Sequence, residues 1–204
     1  MIYYTSDTHF GSEFIMQLTN RPFDSIEEMN KTLIENWNKT VTPEDTVYIL
    51  GDMALNKGPI PAEFLKQLNG HKHLVRGNHD VGLDNQEELF DYVETVSDFL
   101  EIDDGQYHIL LCHYPIFYEQ KGYMIHGHLH NLKGRAYEIL KNMDRILNAG
   151  VDVNGFKPVT LDELIENNKK FYADESLAID PAERKVKHKG WKPDFRPLPV
   201  RKTK

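Results

Sequence analysis

The sequence predicts an α/β protein in which a parallel sheet presents polar groups at the carboxyl ends of its strands. Three observations carry this. β-rich apolar runs at residues 1–6, 46–50 and 73–76 alternate with stretches of helical periodicity. Each run ends in a polar turn: Asp7-Thr8-His9-Phe10-Gly11, then Gly51-Asp52, then Gly77-Asn78-His79-Asp80. The resulting order, strand–helix–strand–helix–strand, makes a parallel sheet with right-handed crossovers the economical topology.

The elements follow in turn. Ser25-Ile26-Glu27-Glu28 matches a capping box, and Ile26, Met29, Leu33 and Trp37 recur at helical spacing, so a helix is expected to about Thr40, before Pro43. Residues 61–68 read as a second helix, closed by Asn69-Gly70. In the second half, residues 92–102 and 106–113 are β-rich and separated by Asp103-Asp104-Gly105, a hairpin signal. A further strand is expected at 123–126, before Gly127-His128-Leu129-His130, and another at 145–153. Residues 131–143 carry no clear signal beyond a loop followed by a short helix. Thr160-Leu161-Asp162-Glu163 is a second capping box and opens a helix to about Lys170.

Composition narrows the class. Of 204 residues, 40% are hydrophobic and 27% charged, which fits a globular chain and not a disordered one. No apolar run is long enough to cross a membrane, and the first residues lack the basic and apolar regions of a secretory signal. Cys112 is the only cysteine, so no intrachain disulfide can form. A cytoplasmic protein without membrane contact is expected. The net charge of −8 is unevenly spread: residues 181–204 hold nine Lys/Arg against Glu183 and Asp194, a net of +7. The expected organisation is a body at 1–172 and a basic, Pro-containing extension at 173–204. That extension serves either as a solubilising arm or as a contact for nucleic acid or another polyanion.

The turns after the strands concentrate metal-ligating chemistry. Asp7 and His9, Asp52, Asn78 and His79, His113, and the pair His128 and His130 supply carboxylates, imidazole nitrogens and an amide oxygen. In open α/β sheets such loops converge on ligand sites. Mixed N/O donors suit Mn²⁺, Fe²⁺, Zn²⁺ or Ni²⁺, and the missing thiolates argue against a Cys-rich structural zinc site. Each fragment alone is common. The ordered set D-x-H, G-D, G-N-H-D, H and G-H-x-H, each after a predicted strand, is not.

That ordered set resembles the calcineurin-like metallophosphoesterase superfamily, over roughly residues 1–165. The spelling at residues 2–11, Arg21-Pro22-Phe23, Trp37-Asn38, Gly150-Val151-Asp152-Val153-Asn154 and Lys157-Pro158-Val159 looks like its small, compact bacterial and phage members. The resemblance implies an α/β/β/α sandwich of two packed sheets. It implies one metal held by Asp7, His9 and His130, a second held by Asn78, His113 and His128, and Asp52 bridging the two. The implied cofactors are two divalent ions, manganese first, with Fe, Zn or Ni as alternatives. Two such ions would make a bridging hydroxide available at neutral pH for direct attack on a phosphate ester. His79 is then the catalytic residue, facing the substrate as an acid or a charge stabiliser. Where this subgroup is expected to carry a histidine after Phe10-Gly11, this chain has Ser12.

Substrate recognition is open at this level. Arg21 is a candidate phosphate clamp or a surface residue, and Asp80 a candidate substrate contact, an orienter of His79 or a structural acceptor. His126 is expected beside the site but not as a ligand. Tyr114, Phe117, Tyr118 and Tyr123 form either an apolar wall for a nucleobase or ordinary packing. The expected function is a phosphodiesterase acting on nucleotides, cyclic nucleotides or nucleic-acid ends. The alternatives are a phosphomonoesterase, including a protein phosphatase, and a non-catalytic metal- or nucleotide-binding module.

Overall fold

The structure, a computed structural model, describes residues 1–54, 61–80, 87–105, 107–117 and 121–180. Its strands are β1 (Ile2–Thr5), β2 (Thr46–Ile49), β3 (His71–Val75), β4 (Thr95–Ser97), β5 (Phe99–Asp104), β6 (Tyr107–Cys112), β7 (Tyr123–His126) and β8 (Ile146–Asn148). Its helices are α1 (Glu13–Leu18), α2 (Ile26–Thr40), α3 (Pro61–Leu65), α4 (Arg135–Leu140) and α5 (Leu161–Ala173). The strands make two four-stranded sheets, in the orders β1-β2-β3-β4 and β5-β6-β7-β8. The first is parallel throughout; in the second, β5 runs antiparallel to β6 while β7 and β8 run parallel to it.

Alternation along single strands sorts the side chains into layers. Val47 and Ile49 of β2 face outward with Met29, Leu33 and Trp37 of α2 and Leu65 of α3. On the other face, Tyr4, Leu50 and Val75 meet Ile109, Leu111, Ile125 and Leu147 of the second sheet. Leu110, Cys112 and Met124 turn the opposite way and pack with Leu140 of α4. The result is the α/β/β/α sandwich, with the inter-sheet core at its centre. Two bridges tie β1 and its following residue to the chain between β8 and α5: Ser6 to Gly150, and Tyr4 to Val159.

Three elements differ from expectation. The run at 92–102 is divided: Val96 in β4 packs with the first core, whereas Leu100 and Ile102 in β5 pack with the inter-sheet core. The chain changes sheets at Asp98. The strand expected over 145–153 stops at Asn148, because the Val153 N–H donates to the Gly150 carbonyl and closes a turn. α1 was not expected, being six residues long and shorter than a periodicity window; the Ser12 hydroxyl caps it by accepting from the Ile15 N–H.

α4 falls in the stretch without signal, and its N-cap is Gly134 with no side-chain cap, so no start marker exists in sequence. The α5 capping box is present, and the helix continues to Ala173 on a buried stripe of Leu164, Asn168 and Phe171. Residues 174–180 return to the body, where the Ile179 N–H donates to Asn131 and its carbonyl accepts from the Lys133 N–H. The basic run 181–204 lies outside the described residues.

Candidate metal centre

The loops after β1, β2, β3, β6 and β7 converge at one end of the sandwich. The loop after β1 runs along the loop after β2: the Asp7, His9 and Phe10 N–H groups donate to the carbonyls of Gly51, Asp52 and Met53. Glycine is required where loops touch. A Cβ on Gly77 would lie 2.2 Å from Asp52 Oδ1, and one on Gly127 would lie 1.9 Å from Ser6 Oγ. Asp7, His9, Asp52, His128 and His130 all have positive φ, between 49° and 69°. Non-glycine residues adopt this region at a cost of about 1–3 kcal/mol each and keep it where the surroundings impose it, most often at functional sites.

Two groups of donor atoms result: Asp7, His9 and His130, and Asp52, His113 and His128. In the first, His9 Nε2 and His130 Nε2 lie 3.9 and 3.8 Å from Asp7 Oδ1. In the second, the Asn78 amide oxygen lies 3.0 Å from His113 Nε2 and 2.8 Å from His128 Nδ1. A coordination polyhedron with bonds of about 2.1 Å has edges of roughly 3–3.5 Å; the second group lies near that spacing and the first is a few tenths of an ångström wider. Asp52 Oδ2 sits between the groups, 3.7 Å from His9 Nε2 and 3.4 Å from His113 Nε2.

The donors fit divalent ions on their own chemistry. Both ring nitrogens of His9 are buried without a hydrogen-bond partner among the described residues, a costly state that coordination through Nε2 would relieve in part. His113 Nδ1 lies 2.7 Å from the Leu50 carbonyl, which only accepts, so Nδ1 carries the proton and Nε2 is left facing Asn78 and Asp52. His130 Nδ1 likewise donates to Asp152 Oδ2 at 2.8 Å.

The local field asks for positive charge. Burial lowers the pKa of His113, yet the Asp52 hydrogen bond and the charges of Asp7 and Asp52 push it up to about 9. Burial and the His113 charge lower His128 to about 4, and burial and the His130 charge lower His9, so both are neutral imidazoles suited to ligation. Burial raises Asp7. Burial opposes ionisation of Asp52 as well, but His113 and His9 hold it below the usual carboxylate range.

The structure places Arg21 as neither a phosphate clamp nor a surface residue, and Asp80 as the structural acceptor among its three alternatives. Arg21 is buried, and all its donors face protein: Nε and Nη2 go to Asp152, Nη1 to the Thr8 carbonyl and Met29 Sδ, and Nη2 to the Asp7 carbonyl. No donor remains to clamp a phosphate. Asp80 is buried and accepts from the Asp52, Gly77 and Met53 N–H groups, which staples the β2 and β3 loops together and leaves it no substrate contact.

His126 stands outside both groups, its Nδ1 donating to the Gly127 carbonyl at 2.7 Å. The His79 N–H donates to Asp52 Oδ1 at 2.7 Å, and its ring lies 5.3 Å from that of His9, so it flanks the first group. Ser12 is buried as a helix cap. Asp152 had no role assigned from sequence. Its place within Gly150-Val151-Asp152-Val153-Asn154, on a turn beside β1, was the available signal.

A family model for calcineurin-like phosphoesterases matches residues 1–198, and the chain belongs to that family. An uncharacterized protein of Methanocaldococcus jannaschii is 39% identical over 176 residues, 82% of this chain and 93% of that one. The gene 66 protein of Mycobacterium phage L5 is 40% identical over 81 residues, 38% of this chain and 39% of its own length. A protein of unknown function from Aquifex aeolicus, known as a crystal structure, aligns with a TM-score of 0.62 at 30% identity, over 81% of this chain and 98% of that one. Family and site together define a metal-dependent phosphoesterase and point to a dinuclear centre of divalent ions. Among the described residues no helix is long and apolar enough to cross a membrane.

Proposed function

We propose that the protein is a phosphodiesterase that hydrolyses its substrate by direct attack of hydroxide, without a covalent enzyme intermediate. Asp7, His9 and His130 would hold one ion, Asn78, His113 and His128 the other, and Asp52 both. Bound there, two divalent ions polarise a phosphoryl oxygen and make hydroxide available at neutral pH. Manganese is the first choice, since carboxylate and amide oxygens complete the imidazole set.

The observation that carries the reading is the position of Asp52 Oδ2 between His9 Nε2 and His113 Nε2, a single oxygen shared by two donor groups. His79, tied through its backbone to the other oxygen of Asp52, stands at the rim and donates a proton to the leaving oxygen. The state of Arg21 favours a diester. A monoester dianion asks for added cationic neutralisation, and this guanidinium is fully committed to Asp152, Asp7, Thr8 and Met29.

We place the protein in the cytoplasm, where Cys112, a buried free thiol, would stay reduced. We also propose that the extension contacts polyanions through its +7 charge. Removing residues 181–204 should then weaken nucleic-acid binding at low salt, and equal salt-dependent affinity for both forms would exclude that role.

The main test compares bis(4-nitrophenyl) phosphate with 4-nitrophenyl phosphate on the manganese-loaded full chain. A higher kcat/KM for the diester is expected. A monoester preference would shift the reading to phosphomonoesterase, and no turnover with any transition metal would favour a binding module.

A further inference from the structure

We infer that Tyr114, Ile116 and Phe117 form a subsite for a flat aromatic group carried on the phosphate ester, of the kind a nucleobase presents. The inference deepens the phosphodiesterase reading and rests on it for the position of the phosphate. Tyr114 directly follows the donor His113. Its ring lies 5.1 Å from the His113 ring and 4.9 Å from the His128 ring, at interplanar angles of 75° and 64°. Two imidazoles therefore hold this phenol ring beside the second donor group, while 46% of the residue remains exposed. Ile116 and Phe117 follow in the same loop, 42% and 73% exposed.

Three large, largely apolar side chains exposed within four residues, outside every core cluster and led by Tyr114 beside the donors, form a patch that favours being covered. The donor set fixes a phosphate as one part of the occupant, so the covering group is the organic arm of that ester. The other aromatic candidates behave differently. Tyr123 packs against Tyr107 in the inter-sheet core, with ring centroids 5.2 Å apart, and Tyr118 lies outside the described residues.

The placement also assigns the arms of a diester. His79 flanks the first group through His9, and Tyr114 flanks the second through His113 and His128. The arm that leaves faces His79; the arm that stays on phosphorus faces Tyr114. Stacking a base on an aromatic side chain contributes enough to change affinity by about tenfold or more.

The test is calorimetric binding of thymidine 5′-monophosphate and of methyl phosphate to the manganese-loaded full chain. Wild type should prefer the nucleotide by about tenfold or more. Tyr114→Ala should bring the ratio close to one, and Tyr114→Phe should retain it. Phe117→Ala, at an exposed position that does not threaten the fold, should lower it in part. Equal affinities in wild type, or an unchanged ratio in both alanine variants, would overturn the subsite. Turnover of the 4-nitrophenyl esters of the same two phosphates separates the two claims. A retained binding preference with no hydrolysis of either diester would sink the phosphodiesterase reading and leave the subsite standing.

Discussion

The two donor groups of the centre are held in place by different physics. Asp7, His9 and His130 are all buried, and their support is ionic. Arg21 pairs with Asp152, Asp152 accepts from His130, and Arg21 also donates to the Asp7 and Thr8 carbonyls. Burial opposes ionisation of Asp152, but Arg21 and His130 hold it below the usual carboxylate range. The second group has an ionic contact of its own, His113 Nε2 lying 3.4 Å from Asp52 Oδ2, but no buried arginine stands behind it among the described residues. His113 is anchored by the Leu50 carbonyl, and His128 and Asn78 are only half-buried. The first group is thus a closed, charge-braced pocket, and the second opens toward solvent and Tyr114. A closed pocket suits permanent retention of an ion, whereas an open one suits exchange of ligands with a substrate. Asp52 Oδ2 lies between them, 3.7 Å from His9 Nε2 and 3.4 Å from His113 Nε2, and is the oxygen we propose the two groups share.

The largest expected effect breaks the comparison at that common point. Asp52→Asn should lower activity more than His9→Ala or Asn78→Ala, since it weakens both groups together. Metal analysis of the purified variant should find fewer than two tightly held ions. Two tight ions would show that the groups do not share this oxygen.

His79 tests whether the flanks of the two groups are chemically distinct. His79→Ala should keep both ions and lose about 10²-fold in rate for an alkyl or nucleoside leaving group, with a smaller loss for nitrophenolate. Equal losses would mean that it stabilises charge on phosphorus oxygens and donates no proton.

Asp152→Asn probes the ionic brace alone. Removing a carboxylate behind a ligating histidine commonly lowers metal affinity by about 10–100-fold. The loss should fall on one ion of two, so titration with limiting Mn²⁺ should show one tight and one weakened site. A parallel loss at both sites would mean that the brace supports the whole centre.

The same contrast explains what the sequence revealed. Asn78 and His128 stand out as candidates within G-N-H-D and G-H-x-H, glycine turns that follow strands, whereas His113 was marked only as a lone histidine at a strand end. Asp7, His9 and His130, the donors of the first group, were equally legible as candidates, but their support was not. Arg21 and Asp152 are 131 positions apart and meet only because the Ser6–Gly150 bridge brings two loops together. Sequence spacing carries no record of such a meeting, so Arg21 read as either a phosphate clamp or a surface residue. The sheet change at Asp98 was hidden for a related reason. β4 and β5 are both β-rich, and only the core each one packs against distinguishes them.

The smallest expected effect lies behind the first group, at Ser12. Its hydroxyl caps α1, and its N–H donates to the His9 carbonyl at 3.1 Å, so the helix start and the His9 loop share one residue. Ser12→Ala removes the hydroxyl and keeps the N–H. The lost cap should cost about 1 kcal/mol of stability. Because the bond to His9 runs through the backbone, both ions should remain and the phosphodiester rate should stay within about twofold, as for a side chain that contributes only a cap. Denaturant unfolding of the metal-loaded protein measures the first quantity, and metal analysis with steady-state rates measures the others. A large loss of rate at unchanged stability would place the Ser12 hydroxyl in contact with substrate, despite its burial at the head of α1. A selective loss of one ion would show instead that the brace of the first group extends from Asp152 and Arg21 into this helix.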